Sequence, residues 1–172
     1  MKFTLFTTGG TTASAPSEDG LRPKLSGREL VNLCPALEDF EHDIRVVDLM
    51  SKDSSNMQPD DWFAMVQHIR QSASDCDAVI LLHGTDTMAW TASALSYLLP
   101  DVPVPVVLTG SMLAPEARDS DAADNLYTAV QMSMQLALYR RQGVAVVFDD
   151  VLIHGPRAAK VDSRRRHAFV GV

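Results

Sequence analysis

Residues 83–90 read HGTDTMAW, and three adjacent positions, Thr85, Asp86 and Thr87, place two hydroxyls around one carboxylate. They follow the apolar run Ala78 to Leu82 and precede a stretch with helical spacing. A helix start uses one side-chain oxygen to accept an orphan backbone N–H. One of Thr85 and Asp86 can fill that place, which leaves the other and Thr87 as surplus. Hydroxyls beside a carboxylate suit nucleophilic or acid–base chemistry once a base is brought to them. His83 has no second histidine at metal-ligand spacing, and His42, His68, His154 and His167 are scattered, so it reads as a structural histidine and no metal is expected.

Four other polar segments carry candidate groups. TTGGTTAS (7–14) turns sharply at Gly9-Gly10 and presents Thr11; taken alone it reads as a tight strand exit. It lacks the lysine and the glycine spacing of a nucleotide-phosphate cradle. In SKDSSNM (51–57), Ser54 and Ser55 offer donors for a carboxylate or simply form the loop before the next helix. GSMLAPEARDSD (110–121) carries Ser111, and GPRAAKVDS (155–163) carries Lys160, a surface lysine unless a partner holds it.

These segments must be positioned by the elements between them. Apolar or β-branched runs recur at Lys2 to Thr8, Arg45 to Leu49, Ala78 to Leu82, Val104 to Thr109 and Val144 to Phe148. Helical spacing separates them. One helix opens at Pro59 with Trp62, Met65, Val66 and Ile69 on one face; a second runs from Thr87 through Met88, Ala92, Leu95 and Leu99 to Pro100; a third covers Ala122 to Arg141 before Gly143. Continuous apolar strands alternating with helices predict an α/β fold, a mainly parallel sheet covered on both faces. In such sheets ligands bind beyond the carboxyl ends of the strands, where the first four polar segments would open together.

Composition narrows the function. With 172 residues, 46% hydrophobic and 22% charged, the chain suits one globular domain. A net charge of −7 argues against nucleic acid or an anionic membrane as partner. The basic run Arg164-Arg165-Arg166 reads as a solvated tail. Cys34 and Cys76 form no C-x-x-C pair, so neither a disulfide framework nor a zinc site is expected, and a reducing, cytoplasmic setting fits. No apolar run approaches membrane-spanning length.

Taken together and in order, TTGGTT, DSSNM, HGTDTM, LTGSMLAPEARDSDAADNLYTAV and AAKVDS resemble the bacterial-type L-asparaginase family across nearly the whole chain. The resemblance implies a flavodoxin-like three-layer catalytic domain over 1–172, without the second domain that usually follows, and hydrolysis of L-asparagine to L-aspartate and ammonia with no cofactor. It implies catalytic roles for Thr11, Thr85, Asp86 and Lys160. Either threonine can be the nucleophile, with Lys160 as base and Asp86 orienting it. It gives Ser54 and Ser55 the substrate's backbone end, Asp86 also its α-amino group, and the Ser111 backbone the side-chain amide. Leu21 stands near the position where the family carries a loop tyrosine.

Two other classes fit parts of this pattern. A catalytically silent asparagine- or aspartate-binding module would need Ser54, Ser55 and Asp86 but neither Thr11 nor Lys160. An ammonia-releasing component of an amidotransferase would call for partner-binding extensions. Apolar helices without their usual cover predict a homo-oligomer.

Overall fold

The structure, a computed structural model, describes residues 1–9, 14–17, 20–23, 26–37 and 43–172. Its centre is a six-stranded sheet built from β1 (Lys2–Thr7), β4 (Asp43–Asp48), β5 (Ala78–Leu82), β6 (Pro105–Thr109), β7 (Gly143–Phe148) and β8 (Val151–His154), in the spatial order β4-β1-β5-β6-β7-β8. The first five strands in that order run parallel and β8 turns back antiparallel on β7. Every residue of β5 and β6 is buried, as expected of strands covered on both faces, which therefore read as unbroken apolar runs. The chain order of the five parallel strands is 2-1-3-4-5, and it reverses between β1 and β5.

Helix α2 (Pro59–Ser72) and helix α3 (Met88–Leu98) lie over one face. There Met65, Ile69, Met88, Ala92 and Leu95 pack with Phe6, Val79, Leu81, Val106 and Leu108. Helix α1 (Gly27–Asn32) and helix α4 (Ala122–Leu138) cover the other face, where Leu30, Leu126, Ala129 and Val130 meet Phe3, Leu5, Ile80, Leu82, Val107 and Val147. The alternation along β5 and β6 thus assigns successive residues to two cores. Among the described residues no helix is long and apolar enough to cross a membrane.

Several small elements add to the expected plan. β2 (Ser14–Ser17) pairs with β3 (Gly20–Pro23), and β9 (Ala158–Lys160) pairs antiparallel with β10 (Phe169–Gly171). The backbone of Leu21 therefore lies in a short hairpin. The arginine run is not a tail: it lies between β9 and β10, the N–H groups of Arg164 and Arg165 bond to Asp162, and Arg166 donates to the Asp119 carbonyl. Helix α4 ends at Leu138, before Arg140 and Arg141, because Arg140 adopts a left-handed φ of 51° that breaks the helical path.

Candidate active site

Strands β1, β4, β5 and β6 end at the same carboxyl edge of the sheet, on either side of the point where strand order reverses. After β1, Thr8 is tied to β5, its N–H and hydroxyl both bonding to Leu82 O at 3.0 and 3.1 Å. Gly9 follows with φ of 90°, and a Cβ there would stand 2.5 Å from Lys52 N. Both the conformation and the close approach require glycine at this position. The adjacent chain is fixed by the Lys52 N–H bond to Thr8 O at 3.0 Å. Thr11, two residues beyond Gly9, lies outside the described residues.

After β5, none of the three polar side chains caps α3. Thr87 occupies the cap position without a side-chain cap bond. Its hydroxyl instead donates to Ser54 O at 2.7 Å, joining the β5 loop to the β4 loop. Thr85 is almost fully buried, at 5% exposure. Lys160 arrives from β9, 75 residues away in sequence, and its Nζ donates to Thr85 Oγ1 at 2.8 Å and to Asp86 Oδ1 at 2.7 Å. The lysine side chain is 15% exposed and the aspartate 65%. One carboxylate oxygen, Oδ1, thus holds the lysine.

Beneath this group His83 is fully buried. Its Nδ1 lies 2.7 Å from Gly84 O, which fixes the proton on Nδ1, and Nε2 then accepts from the Thr91 hydroxyl at 3.0 Å. Thr91 Oγ1 in turn accepts the Trp62 indole N–H at 3.0 Å. Burial pushes the imidazole pKa down to about 4, against the opposing pull of the Gly84 carbonyl. His83 is therefore a neutral strut between the β5 exit, α3 and α2. Its expected structural role matches these contacts.

After β4, Ser54 to Asn56 form a single 3-10 turn capped by Asp53. Ser54 is buried, whereas Ser55 is exposed and donates both its N–H and its hydroxyl to Asp53 Oδ1, at 2.9 and 2.6 Å. Those two bonds, the hydroxyl first, hold the Asp53 carboxyl below its usual range. Ser111, buried beyond β6, donates its hydroxyl to Leu113 O at 2.7 Å. Asp86 and Lys160 also border a groove of about 480 Å³ walled by Trp90, Ser93 and Pro156.

The site residues expected from sequence thus divide. Thr85, Asp86 and Lys160 are in direct contact, Ser54 is joined to them through Thr87, and Ser55 and Ser111 lie on the neighbouring loops. Sequence reasoning missed Thr87 as a link. The signal for Thr87 was its surplus as a cap. Tyr97, Tyr127 and Tyr139 belong to α3, α4 and the end of α4, and Tyr97 and Tyr139 are exposed. Among the described residues no group of three or more His, Cys, Asp and Glu stands where it would hold a metal ion.

A buried hydroxyl within hydrogen-bond reach of a shielded amine, with a carboxylate on the amine's other side, can be deprotonated and made nucleophilic. The asparaginase N-terminal family model matches residues 2–172. The chain is 36% identical to an L-asparaginase of Thermococcus kodakarensis over 172 residues, covering 100% of this chain and 51% of that protein. The solved structure of a thermostable L-asparaginase from that organism superposes with a TM-score of 0.88, again over 100% of this chain and 51% of the other. A probable cytoplasmic L-asparaginase from Campylobacter jejuni gives 0.83 at 29% identity, over 99% of this chain and 51% of that one. A glutamyl-tRNA(Gln) amidotransferase component from Saccharolobus islandicus is 35% identical over 180 residues, covering 98% of this chain and 39% of that protein. The chain spans about half the length, or less, of these relatives.

Proposed function

Because the chain belongs to the asparaginase family, we propose that it supplies the catalytic domain of an L-asparagine amidohydrolase that uses a threonine nucleophile. The observation that carries this reading is the contact of Lys160 Nζ with both Thr85 Oγ1 and Asp86 Oδ1. An unactivated carboxamide is a poor electrophile, so its hydrolysis needs an activated hydroxyl, a base and stabilisation of the developing oxyanion. Lys160 serves as the base that takes the proton of the attacking hydroxyl, directly when that hydroxyl is Thr85 and by way of the Thr85 hydroxyl when it is Thr11. The hydroxyl of Thr11 or Thr85 attacks the carboxamide carbon, and the proton leaves with ammonia. Water then cleaves the ester, releasing aspartate and restoring the hydroxyl.

In this reading Ser54 and Ser55 hold the substrate's α-carboxylate, the exposed Asp86 carboxylate receives its α-amino group, and the Ser111 backbone meets the amide. Trp90 and Tyr97, 69% and 76% exposed one heptad apart on α3, support a homo-oligomer. The free thiols Cys34 and Cys76 suit a cytoplasmic protein. The test is release of ammonia and aspartate from L-asparagine by the purified full chain, with light scattering for its mass. Equimolar products support the reading, and intact asparagine after prolonged incubation with folded protein overturns it. Similarity to the amidotransferase component favours a second reading, an ammonia source for a partner enzyme. Asparagine hydrolysis that appears only when such a partner is added would select it.

A further inference from the structure

Two buried side chains outside the groups named so far converge on the loop that carries Ser111. Asp121, at the start of α4, accepts the N–H of Met112 at 3.1 and 3.0 Å on its two oxygens, and that of Leu113 at 3.1 Å. Asn125, one turn later, donates Nδ2–H to Gly110 O at 2.9 Å and to Asp121 Oδ2 at 3.1 Å, and its Oδ1 accepts the Asp149 N–H at 3.0 Å. Both residues are 3% exposed.

The consequence follows from the planar trans peptide, in which C=O and N–H point in opposite directions. Gly110 C=O and Ser111 N–H share one peptide, and Asn125 fixes its rotation. Ser111 C=O and Met112 N–H share the next, and Asp121 fixes that one. With Met112 N–H drawn toward α4, Ser111 C=O points away from α4, toward the face of the sheet where α3 and Thr85 lie. A carbonyl has two lone pairs, so it can accept a substrate N–H beside any protein partner.

We propose that Asn125 and Asp121 are positioning residues for the substrate's amide end, orienting the two peptide groups around Ser111 so that its carbonyl accepts from the carboxamide NH2. This rests on the asparaginase reading above. The contact is made in the ground state and the transition state alike, so its loss raises KM and leaves kcat nearly unchanged. It also acts only on the amide. Product aspartate, which has no carboxamide NH2, does not make it.

The exchange Asp121→Asn with Asn125→Asp isolates the effect. The bond between the two side chains re-forms in the opposite sense, one acceptor remains for each of Met112, Leu113 and Asp149, Met112 N–H gives up the second of its two acceptors, and Gly110 O loses its donor and faces a carboxylate oxygen. We expect a melting temperature within a few degrees of wild type, KM for asparagine raised about tenfold, and inhibition by aspartate unchanged within about twofold. The single Asn125→Ser, which removes the same Gly110 bond, is read by the same ratio of asparagine KM to aspartate Ki and serves if the exchange does not fold. An unchanged KM, or equal weakening of asparagine and aspartate, overturns the proposal while leaving the asparaginase reading intact. A folded wild-type chain that does not hydrolyse asparagine overturns both.

Discussion

The two ends of the Thr85–Lys160–Asp86 group are built differently. At one end Thr85 and Lys160 are shielded, and neutral His83 braces the backbone below them. At the other, Asp86 is largely in water and Ser55 is exposed. The shielded end suits proton transfer, since low dielectric strengthens interactions among the reacting groups. The exposed end suits substrate capture by groups that are free to be desolvated when the ligand arrives. Damage at the first should therefore appear in kcat, and damage at the second in KM.

The largest effect is expected from Thr85→Val and Thr11→Val, each lowering kcat by at least about a hundredfold without unfolding the chain. Circular dichroism with steady-state ammonia assays checks both, and near-normal turnover in either variant removes that threonine from the mechanism. Acid should break the shielded end next. The His83 pKa is depressed from 6.5 to about 4, so the unfolded chain binds the proton more readily. Stability from this group is complete above pH 6.5 and is lost as pH falls toward 4, by about 3 kcal/mol in all. Urea denaturation across that range, with His83→Gln as the control, measures it; a loss equally steep in the variant would assign the acid sensitivity elsewhere.

At the exposed end, the proposed α-amino contact of Asp86 predicts that Asp86→Ala raises KM for asparagine about tenfold. It should also lower kcat by a smaller factor because Lys160 loses its anchor. A kcat effect larger than the KM effect would reverse that assignment. The smallest change is expected for Thr87→Val, which cuts the bond to Ser54 O and lets the β4 loop drift from the catalytic group. KM should rise about threefold with kcat retained, on the scale of one neutral hydrogen bond. Thr87→Ser, which keeps the hydroxyl, should restore it.

Much of this architecture is legible in the sequence because buried parallel strands have apolar neighbours on both faces. The runs at Ala78 to Leu82 and Val104 to Thr109 are plain for that reason. The later strands are not: Val151–His154 has one buried residue in four and Ala158–Lys160 has three residues, so neither carries a periodic signal. The polar groups at strand ends are visible as surplus hydroxyls. The arrival of Lys160 beside Thr85 is fixed by tertiary folding, and only the family resemblance points to it. Asp121 and Asn125 carry no such signal, because most of their partners are backbone groups, which sequence does not distinguish. The left-handed Asp149 and Asp150 in the β7–β8 turn have the residue type that such turns accept, yet Asn125 as the holder of Asp149 N–H is a tertiary fact.

The most direct test of the division between the two ends is kcat for asparagine in the Lys160→Met chain, which keeps the length of the side chain and removes the amine proposed as the base. The account predicts a fall of at least about a hundredfold in a folded protein, with KM changed far less. Turnover near the wild-type value would show that the shielded amine is not the base, and the central claim would fail.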